Sequence, residues 1–201
     1  MGDASSPAAP RLSHLVAVSL LERSADAEDI TDHIARGCTR RSTGQCAGTS
    51  TALGTGGIHG YQGLAVWRVS SVSDLRRRVT LLPDRSLVQV DIVGHGNPGH
   101  LFIGVGNSSN REGDPDACIS VASAGGLAAL RRKLAAVSPD RSSSIFERVP
   151  RVRLIGCEVG SGDEGERLVA TVSALLGGVV VMATTEKLGA YCPLMEIEEA
   201  A

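Results

Sequence analysis

Aromatic side chains are nearly missing from this chain, with two Phe, two Tyr and one Trp in 201 residues. Its core must therefore be built from Val, Leu, Ile and Ala. A dominant charge is missing too. The formal net charge is -2, so there is no electrostatic case for nucleic acid or for an anionic membrane as partner. No apolar run approaches the roughly 18 residues that span a bilayer. Residues 12–21 imitate a short signal sequence, but Asp3 precedes them, only Arg11 adds positive charge, and Glu22 follows at once. Regular cysteine spacing is absent as well. The five cysteines are Cys38, Cys46, Cys118, Cys157 and Cys192, an odd number that does not form a disulfide framework. A reduced, cytoplasmic setting is expected.

Alternating strands and helices are present instead. Met1 to Pro10 is small and Pro-rich and is expected to be a disordered tail. No internal repeat or boundary divides the rest, so residues 11–201 read as one domain. Strands are expected over 12–21, Leu64–Val69, 87–93, 100–105, Arg151–Ile155 and 179–183. Acidic residues near its start and Gly37 at its end suggest a short helix over 25–36. Val72, Leu75, Val79 and Leu82 keep helical spacing, as do Leu127, Leu130, Leu134 and Val137. Leu168, Val169, Val172, Leu175 and Leu176 form a third apolar stripe, closed by Gly177 and Gly178. Residues 39–61 read as a long Gly/Ser/Thr surface excursion. Residues 106–117 and 138–150 read as polar, protease-accessible loops. Such alternation predicts an α/β fold, mostly parallel, with helices on both faces of the sheet.

Two of the expected strands end in residues able to do chemistry. Val90-Asp91-Ile92-Val93 runs into Gly94-His95-Gly96, and Val152-Arg153-Leu154-Ile155 runs into Gly156-Cys157-Glu158. Parallel sheets build their sites at the C-terminal ends of their strands. If these two strands are neighbours, an imidazole and a thiol meet at one sheet edge, as a cysteine nucleophile with a His base requires. Each residue alone has a plainer reading, a buried structural cysteine or a loop histidine. The joint pattern is far more specific. A zinc site at His95, His100, Cys157 and Cys192 has no supporting Cys-x-x-Cys or His-x-x-x-His spacing. Gly54-Thr55-Gly56-Gly57 lacks the Lys-Ser/Thr of a phosphate loop. Nor is Gly156-Cys157-Glu158-Val159-Gly160 the nucleophile elbow of the α/β-hydrolases, because its nucleophile is shifted by one.

The runs Gly94-His95-Gly96-Asn97-Pro98-Gly99-His100-Leu101 and Leu154-Ile155-Gly156-Cys157-Glu158-Val159-Gly160 resemble the signature of the caspase-like cysteine peptidases. They are most similar to bacterial caspase-like domains, including the CHAT group. By element order the resemblance covers residues 64–192. It implies a caspase-like three-layer sandwich and a cysteine endopeptidase that needs no cofactor and no metal. It also implies that His95 is the general base or proton shuttle and Cys157 the nucleophile. The backbone amides of Gly96 and Cys157 would form the oxyanion hole. A protein or peptide is the implied substrate, and an activating partner is admitted. Caspase-like enzymes often mature by cleavage between the two blocks, which makes Arg141, Arg148 and Arg151 candidate cut sites.

The specificity pocket of that fold borders the strand that ends in Val181-Met182-Ala183-Thr184-Thr185. Caspases proper hold a substrate Asp with arginines. Here Glu186 and Lys187 occupy that stretch, and Arg23 is the remaining candidate. The candidate substrate-binding residues are Asp91, Glu158, Thr184, Thr185 and Glu186. Their acids favour Arg or Lys before the scissile bond. Asp163 and Glu164 fit a helix N-terminus. Asp91, inside an apolar strand, is either a pocket acid or a structural partner. Two rival functions remain in view: a caspase-like binding or scaffold module without catalysis, and a cysteine hydrolase or acyltransferase acting on a non-peptide substrate.

Overall fold

The computed structural model describes residues 14–19, 64–104, 112–134 and 150–187. The expected tail over 1–10, the helix over 25–36, the excursion over 39–61 and most of the 138–150 loop lie outside these residues. So do Arg23, Cys38, Cys46, Arg141, Arg148 and Cys192.

The described chain is mixed α/β. Its main sheet has five parallel strands in the order β2-β1-β3-β7-β8: β1 (His14–Ser19), β2 (Leu64–Val69), β3 (Gln89–Val93), β7 (Arg151–Ile155) and β8 (Val180–Ala183). The near-continuous apolar runs of β1 and β3 suit central strands covered on both faces. A small antiparallel sheet, β4 (His95–Asn97), β5 (His100–Phe102) and β6 (Cys118–Ile119), follows β3 directly. The three α-helices among the described residues are α1 (Val72–Thr80), α2 (Leu130–Lys133) and α3 (Gly162–Leu175). The first of these starts where its sequence predicts, because the Ser71 hydroxyl accepts the Asp74 N–H at 3.0 Å.

One face of the sheet presents Leu15, Ala17, Ala65, Trp67, Val90, Ile92, Val152 and Leu154 to a single apolar core. Leu75 and Val79 of α1, Leu130 of α2, and Leu168 and Val172 of α3 complete it. Burying each large aliphatic side chain contributes about 1.5–3 kcal/mol. All the described helices join this one core. The other face of the sheet combines buried Val16, Val18, Val93 and Ile155 with a polar chain built on His14, Gln89, Asp91, Arg151 and Arg153.

Two expectations change here. The described part of the expected 127–137 helix, residues 127–134, is not one helix. A 3₁₀ turn (Ala124–Leu127) precedes the single turn of α2, and Leu134 already has extended backbone with ψ 132°. Its periodic leucines are buried, but Lys133 is drawn to the carbonyl of Leu82 at 2.6 Å and to Asp84 at 2.7 Å, a tertiary tie that ends the helix. The described half of the 106–117 loop is anchored. Asp116 accepts the Val72 N–H at 2.8 Å and, through its side chain, the Ser73 N–H at 2.6 Å. No described helix is long and apolar enough to cross a membrane.

Candidate active site

His95 and Cys157 come from neighbouring parallel strands that keep step past their ends. Val93 of β3 pairs with Ile155 of β7. The ladder continues as the Gly94 N–H donates to the Ile155 carbonyl at 3.0 Å. Two residues beyond Val93 stands His95, and two beyond Ile155 stands Cys157. The imidazole is exposed and the thiol half-buried, both at the C-terminal edge of the sheet.

A hairpin holds the His side of this edge. β4 and β5 pair antiparallel with Asn97 opposite His100, joined by Pro98-Gly99. Proline presets the first turn position, and Gly99 supplies the positive φ of 74° that the second requires. The closing pair of a two-residue hairpin is hydrogen-bonded, so the next pair, Gly96 with Leu101, is not. The Gly96 N–H therefore lies on the edge of β4 facing away from β5. The hairpin docks on the Cys turn, with the Gly99 N–H donating to the Val159 carbonyl at 3.0 Å. Gly96 packs so closely that an added Cβ would lie 2.7 Å from the Cys157 carbonyl oxygen and 3.0 Å from its nitrogen. Only glycine permits that approach.

On the Cys side, the chain turns sharply after the thiol. Glu158 adopts φ 56°, a left-handed conformation that costs a non-glycine residue about 1–2 kcal/mol. Strain of this kind persists where surrounding contacts impose it, and it collects at functional sites. The contacts come from the end of β8. The Glu158 N–H donates to Glu186 O at 2.9 Å, and the Gly160 N–H to Thr184 O at 2.7 Å. Cys118, the other described cysteine, lies inside the fold, and burial pushes its thiol up to about 12. Of the two, Cys157 alone stands at an open edge.

Three expectations about the site need correction. Asp91 is not a pocket acid. It is fully buried in the middle of β3, on the polar face of the sheet. Arg153, its register partner on β7, clamps it with Nε and Nη2 at 2.7 Å each. His14 Nε2 lies 2.8 Å from the same carboxylate, and Gln89 Nε2 donates to both oxygens at 3.0 Å. Burial pushes the Asp91 carboxyl up, but the Arg153 and His14 contacts outweigh it and hold the carboxyl well below the usual range. The second correction is Thr184. It is buried, and its hydroxyl is bound to the backbone of Gly156 rather than turned to a pocket. Finally, Arg151 lies within β7, its N–H bonded to Val88 O at 3.0 Å and its Nε to Gln89 Oε1 at 2.8 Å. A cut after it would sever a core strand, so it is no linker site. Thr185 and Glu186 are exposed, and Glu158 is half-buried. These three remain available to a substrate.

Sequence reasoning missed the contribution of Val159, fully buried, whose backbone joins the hairpin to the Cys turn. Among the described residues no group of three or more His, Cys, Asp or Glu is placed to hold a metal ion. No family model, curated protein or solved structure matches this chain.

Proposed function

We propose that this protein is a cysteine endopeptidase of the caspase-like type, with His95 and Cys157 as its dyad, working in the cytoplasm on protein or peptide substrates. The observation that carries the reading is the shared register of β3 and β7, which supports a dyad because His95 and Cys157 each follow their strand by two residues at the C-terminal sheet edge. The strand order and the hairpin after the His strand fit a caspase-like sandwich.

In this mechanism the Cys157 thiol gives its proton to His95 as its sulfur bonds to the carbonyl carbon of the scissile amide. The oxyanion is met by the backbone N–H groups of Gly96 and Cys157. The C–N bond then breaks, and the amine departs with a proton from His95. Water next loses a proton to His95 and attacks the thioester. The C–S bond breaks, freeing the acid, and His95 returns its proton to the sulfur to restore the thiol. Glu158 and Glu186 set a negative field beside the turn, which favours Arg or Lys over Asp before the scissile bond.

The test is a peptide-linked thiol-reactive probe offered to the parent protein and to Cys157→Ala. The expected result is peptide-dependent labelling of the parent alone. Labelling indifferent to the peptide favours a non-peptide cysteine enzyme. A folded parent that takes no label favours a scaffold module.

A further inference from the structure

Thr184 ends the β7–β8 ladder in an unusual way. The backbone pairing stops at Leu154 with Ala183, after which the Thr184 N–H still donates to Leu154 O at 3.2 Å. One step further the partner is a side chain. The Gly156 N–H donates to the Thr184 hydroxyl oxygen at 3.1 Å, and the same hydroxyl donates to the Gly156 carbonyl. A hydroxyl is both donor and acceptor, so one side chain satisfies both backbone groups of Gly156. The Thr184 carbonyl meanwhile accepts the Gly160 N–H at 2.7 Å. Every polar group of this buried threonine is spent on the chain around Cys157.

The peptide plane fixes what this does. The Gly156–Cys157 bond is trans, as are all the described bonds. In a trans peptide the C=O and the following N–H point in opposite directions. With the Gly156 carbonyl held toward β8, the Cys157 N–H is aimed the other way, toward β4 and Gly96. The Gly96 N–H lies on the edge of β4 away from β5, on the side of the same turn. Building on the cysteine-peptidase reading, we propose that Thr184 is a positioning residue, its hydroxyl holding the Cys157 N–H in the orientation that binds the oxyanion.

The experiment compares the parent with Thr184→Ser, Thr184→Cys and Thr184→Val, using a fluorogenic peptide substrate and, separately, iodoacetamide. Alkylation by iodoacetamide displaces iodide at a saturated carbon and forms no oxyanion. It reports the thiol and the fold but not the hole. Removing an oxyanion donor outright lowers kcat by about 10²–10³. A donor set loose should lower it by about tenfold to a hundredfold. Thr184→Val should therefore lose kcat on that scale with KM little changed, and alkylate at the parental rate. Thr184→Ser should restore turnover, and Thr184→Cys, with its weak S–H donor, should fall between. If Thr184→Val does not fold, the order of Ser over Cys decides alone. Equal kcat across the series in an active enzyme overturns the positioning role and leaves the peptidase reading intact. A parent that alkylates at Cys157 yet turns over no peptide overturns both. Loss of turnover matched by equal loss of alkylation shows a structural role only, and overturns the proposal.

Discussion

Replacing Asp91 with Asn should destabilise this protein severely, although the change is nearly isosteric. Asp91 is fully buried, and its two oxygens receive the Arg153 guanidinium in a two-pronged contact, both distances 2.7 Å. The Arg153 side chain is itself only 12% exposed. Asp91→Asn keeps the shape but removes the charge that both prongs of that guanidinium face. Breaking a buried ion pair in this way costs about 3–5 kcal/mol. The amide still offers one acceptor, so we place the loss near the lower end, about 3 kcal/mol. In a chain of this length, Tm should fall by about 6–12 °C. Urea unfolding at neutral pH measures the loss, and a double-mutant cycle with Arg153→Met should return a coupling of about 1–3 kcal/mol. The pH dependence adds a signed check. The folded carboxyl is held below its unfolded value, so its contribution is complete above the unfolded pKa, about 4, and fades as pH falls through the folded one. The gap between parent and Asp91→Asn should be present above pH 5 and close in stronger acid. A loss under 1 kcal/mol, or additive effects of the two substitutions, would refute the reasoning.

Other outcomes follow from the same geometry. Gly96→Ala forces a Cβ to within 2.4 Å of Val159 Cγ2 and 2.7 Å of Cys157 O, so the hairpin must move off the turn. Overpacking costs about 1–3 kcal/mol, and turnover should fall more than stability does, measured as kcat beside Tm. Glu186→Arg, a change at an exposed residue, should lower kcat/KM for Arg peptides about tenfold while leaving Ala peptides alone. Matched-peptide kinetics checks this, and no change in the ratio removes Glu186 from the pocket. Any self-processing should spare the bond after Arg151. Intact-mass analysis of parent and Cys157→Ala after long incubation would reveal such a cut.

The parts of the fold that were legible in sequence are those where burial dictates composition. Val90 to Val93 and Val152 to Ile155 read as strands because their apolar side chains are buried, and their abrupt polar ends marked the sheet edge. The roles of Asp91 and Thr184 were not legible, because both depend on which strand lies beside which. Asp91 and Arg153 are 62 positions apart, and only the β3–β7 register brings them face to face. An acid in an apolar strand signalled a partner without naming it. Thr184 offered a hydroxyl that suits a pocket or a backbone equally, until the β7–β8 ladder showed that one step lacked a main-chain partner. Leu127, Leu130 and Leu134 are buried as their spacing suggested, but burial did not require a helix there. The pull of Leu82 and Asp84 on Lys133 comes from 49 or more residues away.

The dyad itself is tested most directly by mass spectrometry of a peptide library after incubation with folded parent, Cys157→Ala and His95→Ala proteins. New peptide termini with the parent, and none with either variant at parental Tm, is the result the account predicts. Cleavage that survives in Cys157→Ala, or a folded parent that cuts nothing in the library, would contradict it.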